Sequence, residues 1–360
     1  MKIGIVTHRL LHNYGGTLQA FALQEVLRRM GHEPITIDYL PNEMTKGRYV
    51  LAQIKTLFYY LTFRRSRHFF PYPELKRKPE FASFMSKHLN LTERVMKYKF
   101  SILKKYGIEA LIAGSDQIWR GAFNSPSLQP DLYLRFAEKF QGPKIAYAAS
   151  FGTDEWEYSL KLTKECAKYA QLFTAISTRE DSGIKLCNDY LNVKAQGVLD
   201  PTLLLDREDY MALCQNIPGR RESYLLAYLL DMTDEQKESI NSFAAKNKLR
   251  VFFCTSEQEV NFSVEEWLSL YRDASFIITN SFHGTAFSII NNKNFYSIIN
   301  VHRGADRFIS LLSRFHLADR LFKEGDQLPD SINPIDWNAV NREKAKWQDA
   351  GKEFLKSNLA

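Results

Sequence analysis

The sequence predicts an α/β fold made of two doubly wound, Rossmann-like domains that face a cleft. Short apolar runs alternate with amphipathic helical stretches along most of the 360 residues. This pattern is typical of parallel sheets that helices cover on both faces. The alternation stops near residues 201–208 and then starts again. Because the chain is also longer than one hydrophobic core usually supports, we expect one sheet on each side of a boundary between residues 205 and 206.

The first series of elements covers residues 1–205. It begins with KIGIVTH at residues 2–8, whose apolar character predicts a buried strand. GTLQAFALQEVLRRMG follows with apolar residues at helical spacing, and Gly31 is expected to end this helix. The later strand candidates are ITIDY, ALIAGS, KIAYAAS, FTAIS and AQGVLD. A basic and apolar stretch near residues 42–98 is predicted to be an insertion into this domain.

The second series covers residues 206–335. Its strand candidates are YLLAYLL, RVFFCT, FIITNS and FYSIIN. Helices are expected near residues 233–247 and 263–273, and a short one is expected to begin at Thr285. The final segment, residues 336–360, contains a helical pattern over about residues 338–357. We expect this last helix to pack back onto the first domain.

The net charge of +7 is concentrated in one part of the chain. Residues 46–78 contain nine lysines and arginines against the single acid Glu74, so this segment carries +8 and the remainder −1. The basic character is therefore local, and no nucleic-acid-binding motif accompanies it. We expect no nucleic-acid partner.

The cysteines and the N-terminus indicate the compartment. None of the four cysteines lies in a CxxC pair, so the sequence predicts neither a metal site nor a disulfide framework. MKIGIVTHRL lacks the apolar core and cleavage site of a signal peptide. No stretch has the roughly 18 uncharged apolar residues of a membrane span. These features favour a cytoplasmic protein.

Polar residues follow several of the predicted strands, where open α/β sheets bind their ligands. After the first strand, Gly15 and Gly16 would let the backbone approach a ligand closely, although a tight strand-to-helix turn would use the same glycines. After ALIAG come Ser115 and Asp116, with Trp119 beside them. A carboxylate there can accept a proton from a sugar hydroxyl and an indole can stack on a sugar face, whereas a helix N-cap is the structural alternative.

Basic residues follow three further strands. Arg179 could bind a carboxylate or phosphate through its fork, or could form an ion pair with Glu180 or Asp181. His283 lies between a strand and the expected helix, and an imidazole there suits a general acid or base as well as a structural role. Arg303 and Arg307 follow the next strand and suggest an acidic ligand.

The ordered set of these motifs resembles the polysaccharide pyruvyl transferase family. The matching stretches are NYGGTLQAFALQ, GSDQIW, IAYAASFG, STREDSG, VLDPTLLL, TNSFHGTAFSIIN and RGADRF, which extend over most of residues 1–316. The resemblance implies a GT-B-like fold and an enzyme that transfers the enolpyruvyl unit of phosphoenolpyruvate onto a sugar. Such an enzyme releases phosphate and typically leaves a pyruvate ketal across two hydroxyls of a surface polysaccharide precursor.

The resemblance also assigns roles to residues. It implies that His283 acts in catalysis and that Arg179 binds the donor, and we add Asp116 as the acceptor of the hydroxyl proton. The residues expected to bind substrate are Asn13, Gly15, Gly16, Ser115, Trp119, Ser281, Gly284, Arg303 and Arg307. No metal or other cofactor is expected. Two alternatives stay open: a GT-B glycosyltransferase that uses a nucleotide sugar, and a non-catalytic member that only binds a glycan.

The basic segment suggests a membrane contact. Residues 49–63 are strongly apolar with Lys55 as their single charge, and RRSRHFF and then KRK follow them. An apolar helix beside basic residues is typical of a membrane-surface element. The prediction is peripheral contact with the inner face of the membrane through residues 46–78, which would suit an acceptor carried on a polyprenyl diphosphate. The alternative is an insertion whose apolar face packs on the first domain.

Overall fold

The computed structural model describes residues 1–41, 76–255, 262–299 and 304–359. Within these ranges the first sheet consists of β1 (Lys2–Val6), β2 (Glu33–Thr36), β3 (Ala110–Asp116), β4 (Lys144–Ala149), β5 (Ala175–Thr178) and β6 (Gln196–Gly197). All its strands are parallel, in the order β2–β1–β3–β4–β5–β6. The accompanying helices are α1 (Tyr14–Arg29), α2 (Pro79–His88), α3 (Phe100–Tyr106), α4 (Gln129–Leu132), α5 (Leu160–Ala170) and α6 (Asp181–Leu191).

The second sheet consists of β7 (Tyr224–Leu229), β8 (Arg250–Thr255), β9 (Phe276–Thr279), β10 (Phe295–Ile298) and β11 (Leu321–Phe322). These strands are parallel too, in the order β11–β10–β9–β7–β8. The remaining helices of the described chain are α7 (Arg207–Leu213), α8 (Asp234–Lys246), α9 (Val264–Asp273), α10 (Phe282–Ile290), α11 (Asp306–Arg314) and α12 (Trp337–Leu359). The predicted fold class, an α/β protein with two Rossmann-like parallel-sheet domains, is confirmed.

Local sequence explains where the helices begin. The side chains of Thr233 and Ser263 cap α8 and α9, and Gln236 and Glu266 complete a capping box in each. The side chain of Ser281 caps α10, since its Oγ accepts a hydrogen bond from the amide of Gly284. This cap corrects the predicted start of the helix at Thr285: α10 begins at Phe282, so His283 lies inside the first helical turn.

A continuous apolar core joins the two sheets. It extends from β1 and α1 through α9 and α10 to α12, while separate clusters cover the outer face of each sheet. Across the domains, the ring of Tyr14 stacks on Trp267 with the ring centroids 5.1 Å apart, and Tyr210 contacts Phe21 with the ring centroids 6.4 Å apart. The core therefore fixes the two carboxyl edges, the edges of the sheets at which the parallel strands end, relative to each other.

The C-terminal helix α12 returns to the first domain. Gln348 Nε2 donates hydrogen bonds to the carbonyls of Leu203 and Leu205 at 2.9 and 3.3 Å. Gly351 lies so close to Tyr147 of β4 that a Cβ at this position would be 2.7 Å from the tyrosine hydroxyl. The connection between the sheets runs from Gly197 to Tyr224. The predicted domain boundary between residues 205 and 206 lies in this connection and stays a prediction.

Most of the predicted membrane segment, residues 46–75, lies outside the described residues. Its described end contains Arg77, which donates to the Leu10 carbonyl at 2.7 Å and forms an ion pair with Asp38. Arg77 thus contributes to the first domain. In the described ranges, no helix combines the length and the apolar character that crossing a membrane requires.

Candidate active site

A cleft of ≈ 620 Å³ lies between the carboxyl edges of the two sheets. One wall comes from the loop after β1 and from the end of β3, and the other comes from β7, the start of α10 and the first turn of α11. Its lining includes these residues singled out in the sequence: Asn13, Gly15, Gly16, Asp116, Ser281, His283 and Arg307. Residues from separate parts of the chain therefore converge on one cavity.

Gly15 and His283 bring the two domains into direct contact. A Cβ at Gly15 would lie 2.0 Å from His283 Nδ1, so only glycine allows α1 to begin against the imidazole ring. Gly16 has a different role: its amide donates to Asn13 Oδ1 at 2.8 Å, so that the side chain of Asn13 caps α1. The first domain thus holds the ring of a histidine that belongs to the second.

A buried carboxylate, Asp200, links the charged residues of the site. Its Oδ2 accepts a hydrogen bond from Arg179 Nη1 at 2.7 Å and one from Ser115 Oγ at 3.2 Å. The same oxygen lies 3.7 Å from His283 Nε2, an electrostatic contact longer than a hydrogen bond. Its Oδ1 accepts from the amide and the hydroxyl of Thr202 at 3.0 and 2.7 Å. Asp200 therefore orients Arg179 and places a negative charge near the imidazole of His283.

Sequence reasoning missed Asp200 as a site residue. It stands in the stretch VLDPTLLL, at the end of the strand candidate AQGVLD and before a proline. Position after a strand, the signal that selected Asp116 and His283, was present here as well.

The pKa values of the acids follow from these contacts. Burial by itself would raise the pKa of Asp116, but Arg179, with further contributions from His8, His283 and Arg307, outweighs it and holds the pKa at about 2. Burial of Asp200 is likewise outweighed, by His283, Arg179 and the Thr202 amide, so its pKa lies well below the usual range. Both carboxylates are therefore ionised at neutral pH.

Arg179 is almost completely buried and lies behind the cleft wall. Besides Asp200, its guanidinium contacts Asp116, with Nη2 3.3 Å from Oδ1. Its ion pairs are therefore with Asp200 and Asp116, and the alternative pairing with Glu180 or Asp181 is not seen among the described residues. Burial acts to lower the pKa of Arg179, but Asp200 and Asp116 raise it above its ordinary value. A ligand in the cleft would meet Asp116 before it met this arginine.

Phe282 separates two arginines from different domains. The Cζ atoms of Arg179 and Arg307 lie 4.2 and 5.6 Å from the centre of its ring. Burial and then the charge of Arg179 lower the pKa of Arg307, although a guanidinium keeps its proton at neutral pH. The positive charge of Arg307, which lines the cleft, thus favours an anion there.

Three of the predicted substrate-binding residues lie elsewhere than expected. Trp119 is fully buried and stacks on Tyr133 with the ring centroids 4.6 Å apart, so the indole is not placed to stack on a sugar. Ser115 is also fully buried and supports Asp200. Gly284 packs on Thr279, where a Cβ would lie 2.2 Å from Oγ1. Arg303 lies outside the described residues.

The fold and the site together define a two-domain α/β protein with acidic and basic side chains in its interdomain cleft. The sequence model of the polysaccharide pyruvyl transferase family matches residues 13–302, and the chain belongs to this family. No curated protein matches the sequence. In the part of the chain that the structure describes, no three histidine, cysteine or acidic side chains form a group that could hold a metal ion.

Solved structures of similar shape have little sequence identity to this chain. The UDP complex of MnaA from S. aureus is 9% identical, with a TM-score of 0.49, and the match covers 100% of this chain and 91% of that one. UDP-GlcNAc 2-epimerase from Methanocaldococcus jannaschii is 9% identical, with a TM-score of 0.48 and 99% of both chains covered. UGT2 from Phytolacca americana is 11% identical, with a TM-score of 0.42 and coverage of 99% and 95%.

Proposed function

We propose that the protein transfers the enolpyruvyl unit of phosphoenolpyruvate onto sugar hydroxyls of a surface polysaccharide precursor, forms a pyruvate ketal and releases phosphate. Membership of the pyruvyl transferase family supports the transfer class. The observation that carries the chemistry is the convergence of Asp116, His283 and Arg307 on one cleft, with Asp200 behind them. These groups supply a carboxylate, an imidazole and a cation to the same cavity.

The donor fits the basic side of the cleft. Phosphoenolpyruvate carries a carboxylate and a phosphate, and both anions suit Arg307 and the N-terminal end of α10, whose amides favour negative charge. His283 in the first turn of α10 would then lie beside the bound donor. The reaction needs no further cofactor in this proposal, because phosphoenolpyruvate brings its own leaving group.

The reaction would begin with a proton delivered to the methylene carbon of the donor, which creates an oxocarbenium-like centre at C2. A sugar hydroxyl attacks this centre, and its proton passes to Asp116. With a pKa of about 2, Asp116 is a weak base, but a hydroxyl that is bonding to a cationic carbon becomes acidic enough to lose its proton to it. Phosphate then leaves by cleavage of its bond to C2, and a second hydroxyl attacks the cationic carbon that this creates, passes its proton to the departing phosphate and closes the ketal.

His283 would supply the proton, either to the carbon or to the departing phosphate. A protonated imidazole would be stabilised by the Asp200 carboxylate 3.7 Å from Nε2. Contact with Gly15 holds the ring in place, and an oriented acid contributes typically 10²–10⁴-fold to a rate.

The test is to incubate the enzyme with phosphoenolpyruvate and candidate glycan acceptors, including polyprenyl-diphosphate-linked oligosaccharides. We expect release of inorganic phosphate and a product heavier by one pyruvate ketal. UDP, GDP and CMP should not raise the melting temperature, whereas phosphoenolpyruvate should. Turnover with a nucleotide sugar and none with phosphoenolpyruvate would refute the proposal, and sugar binding without phosphate release would identify a glycan-binding protein.

A further inference from the structure

One aromatic ring projects into the cleft beside the charged groups. Phe123 ends the short 3₁₀ turn Gly121–Phe123, is 43% exposed, and lines the same cavity as Asp116 and His283. The other exposed large hydrophobic side chains of the described residues lie outside this cavity; they are Met1, Met96, Leu160, Leu172, Tyr190 and Ile309. An aromatic ring left open to water within a concave site suggests contact with a ligand.

The turn that carries Phe123 is firmly attached to the first domain. The amide of Ala122 donates to Glu157 Oε2 at 2.8 Å, and Asn124 Nδ2 donates to the carbonyls of Ile118 and Arg120 at 3.1 Å. Gly121 packs so closely that a Cβ there would lie 2.8 Å from Cβ of Glu157. The exposure of Phe123 is therefore built into the turn, because contacts on both sides hold it.

One face of the Phe123 ring is covered. The guanidinium of Arg120 lies over it, with Cζ 4.4 Å from the ring centre. Arg120 is itself buried and is positioned by Gln117 Oε1, to which its Nη1 donates at 3.0 Å. Since the ring also lines the cavity, its exposed part lies on the cleft side.

We infer that Phe123 is the stacking surface for the pyranose ring of the acceptor sugar, a role that rests on the proposed function. A pyranose presents a face of C–H groups, which pack on a flat aromatic ring, and an edge of hydroxyls, which require polar partners. Phosphoenolpyruvate is small and doubly anionic and has no comparable apolar face, so it belongs with Arg307. A sugar stacked on Phe123 keeps its hydroxyls free for Asp116 in the same cavity.

This assignment gives to Phe123 the sugar-stacking role that the sequence predicted for Trp119, which is buried. Both aromatic residues follow β3, but Trp119 fills the core between Tyr133 and Phe151, and Phe123 follows four positions later on the cleft side. The ring available to a sugar is therefore the phenylalanine, which the sequence did not distinguish from a core residue.

Kinetics on the full-length enzyme test the inference. Phe123→Ala and Phe123→Leu should raise the acceptor KM about fivefold, since an aromatic contact contributes about 1 kcal/mol. KM for phosphoenolpyruvate and kcat at saturating acceptor should stay near those of the wild type. Phe123→Tyr keeps the flat ring and should restore the acceptor KM.

Tyr190→Ala is the matched control, because it removes an aromatic residue of 44% exposure that lies outside the cavity. Its acceptor KM should equal that of the wild type. An unchanged acceptor KM in Phe123→Ala would overturn the assignment. Full activity in Phe123→Leu would overturn it too, because apolar bulk would then suffice without a ring.

A binding measurement separates this inference from the proposed function. The probes are the methyl pyranosides of galactose, glucose and mannose at millimolar concentration, observed by saturation-transfer NMR. Transfer to the ring C–H protons in the wild type and its loss in Phe123→Ala would support the stacking role, even if phosphoenolpyruvate released no phosphate. Absence of transfer from the wild type to every probe, or equal transfer in Phe123→Ala, would overturn it.

Discussion

His283 and Gly15 are in direct contact, so a substitution of either residue tests the proposed role of the imidazole. The imidazole is mostly buried, and the missing side chain of Gly15 leaves the space that the ring occupies. Interface glycines usually serve turns or close packing, and here the packing partner is the proposed acid. A substitution at either position should therefore act on the same step.

We expect His283→Ala to reduce kcat about 10²–10⁴-fold, the usual contribution of a positioned acid or base. Gly15→Ala keeps the histidine but places a methyl group 2.0 Å from its Nδ1, so it should displace the ring and reduce kcat in the same direction. Steady-state phosphate release measures both effects. A large drop in melting temperature with retained kcat in His283→Ala would instead indicate a structural histidine.

Asp116 makes the stability of the protein depend on pH. Its folded pKa of about 2 lies below the ordinary value, because Arg179 outweighs burial. The carboxylate therefore contributes stability that is fully present above about pH 4 and is lost as the pH falls through about 2. For a shift of this size the contribution is about 2 kcal/mol.

Asp116→Asn should accordingly be less stable than the wild type at neutral pH, and the difference should close as the pH falls from about 4 to about 2. Denaturant unfolding at a series of pH values measures this. Asp189→Asn, which changes an exposed carboxylate on α6, is the control and should follow the wild type. A gap between Asp116→Asn and the wild type that stays constant across this range would contradict the assignment.

At the scale of elements, α11 attaches the second domain to the first. Arg314 at its end donates to the carbonyls of Arg179 and Val198 at 3.0 and 2.8 Å and pairs with Asp181 Oδ1 at 2.6 Å. Ser310 Oγ accepts from the Asp181 amide at 3.0 Å. Because Arg307 lies in the first turn of the same helix, this attachment also sets the position of a cation in the cleft.

Arg314→Met should lower the unfolding free energy by about 3 kcal/mol, because it leaves buried carbonyls without their donor. It should also raise KM for phosphoenolpyruvate, since Arg307 moves with the helix. Arg250→Met is the control: its ion pair with Glu222 is exposed and such pairs are worth at most about 1 kcal/mol. Equal melting temperatures for the two variants would show that α11 does not hold the domains together.

The sequence predicted the elements better than the site. Alternating strands and helices follow from hydrophobic periodicity, and position after a strand was enough to select Asp116, His283 and Arg307, which share the cleft. Asp200 was missed although it ends a strand candidate, because its importance comes from its contacts across the fold with Arg179 and His283. Trp119 was misplaced because periodicity does not reveal which aromatic residue after a strand turns into the core.

At the scale of the whole molecule, the apolar core that extends across both domains holds the cleft in one arrangement. The stacking of Tyr14 on Trp267 and the return of α12 to the first domain both join the two halves. We propose that the molecule, held in this form, works as a peripheral protein on the inner face of the membrane. A polyprenyl-diphosphate-linked acceptor would lie at that surface, so a contact there would bring this proposed substrate to the cleft.

The membrane proposal depends on the apolar residues 49–63 and the basic residues Arg64, Arg65 and Arg67 beside them, all outside the described residues. Each basic side chain near an anionic leaflet contributes about 1 kcal/mol, and salt screens this attraction. Co-sedimentation with anionic vesicles should therefore occur at low salt, weaken at high salt, and fall when these three arginines are changed to glutamate.

Arg77 is not a suitable target, because its pair with Asp38 belongs to the fold. Changing the exposed Lys161, Lys164 and Lys185 to glutamate alters the net charge equally and should leave sedimentation unchanged. If the wild type stays in the supernatant with anionic vesicles at low salt, the insertion instead packs on the first domain.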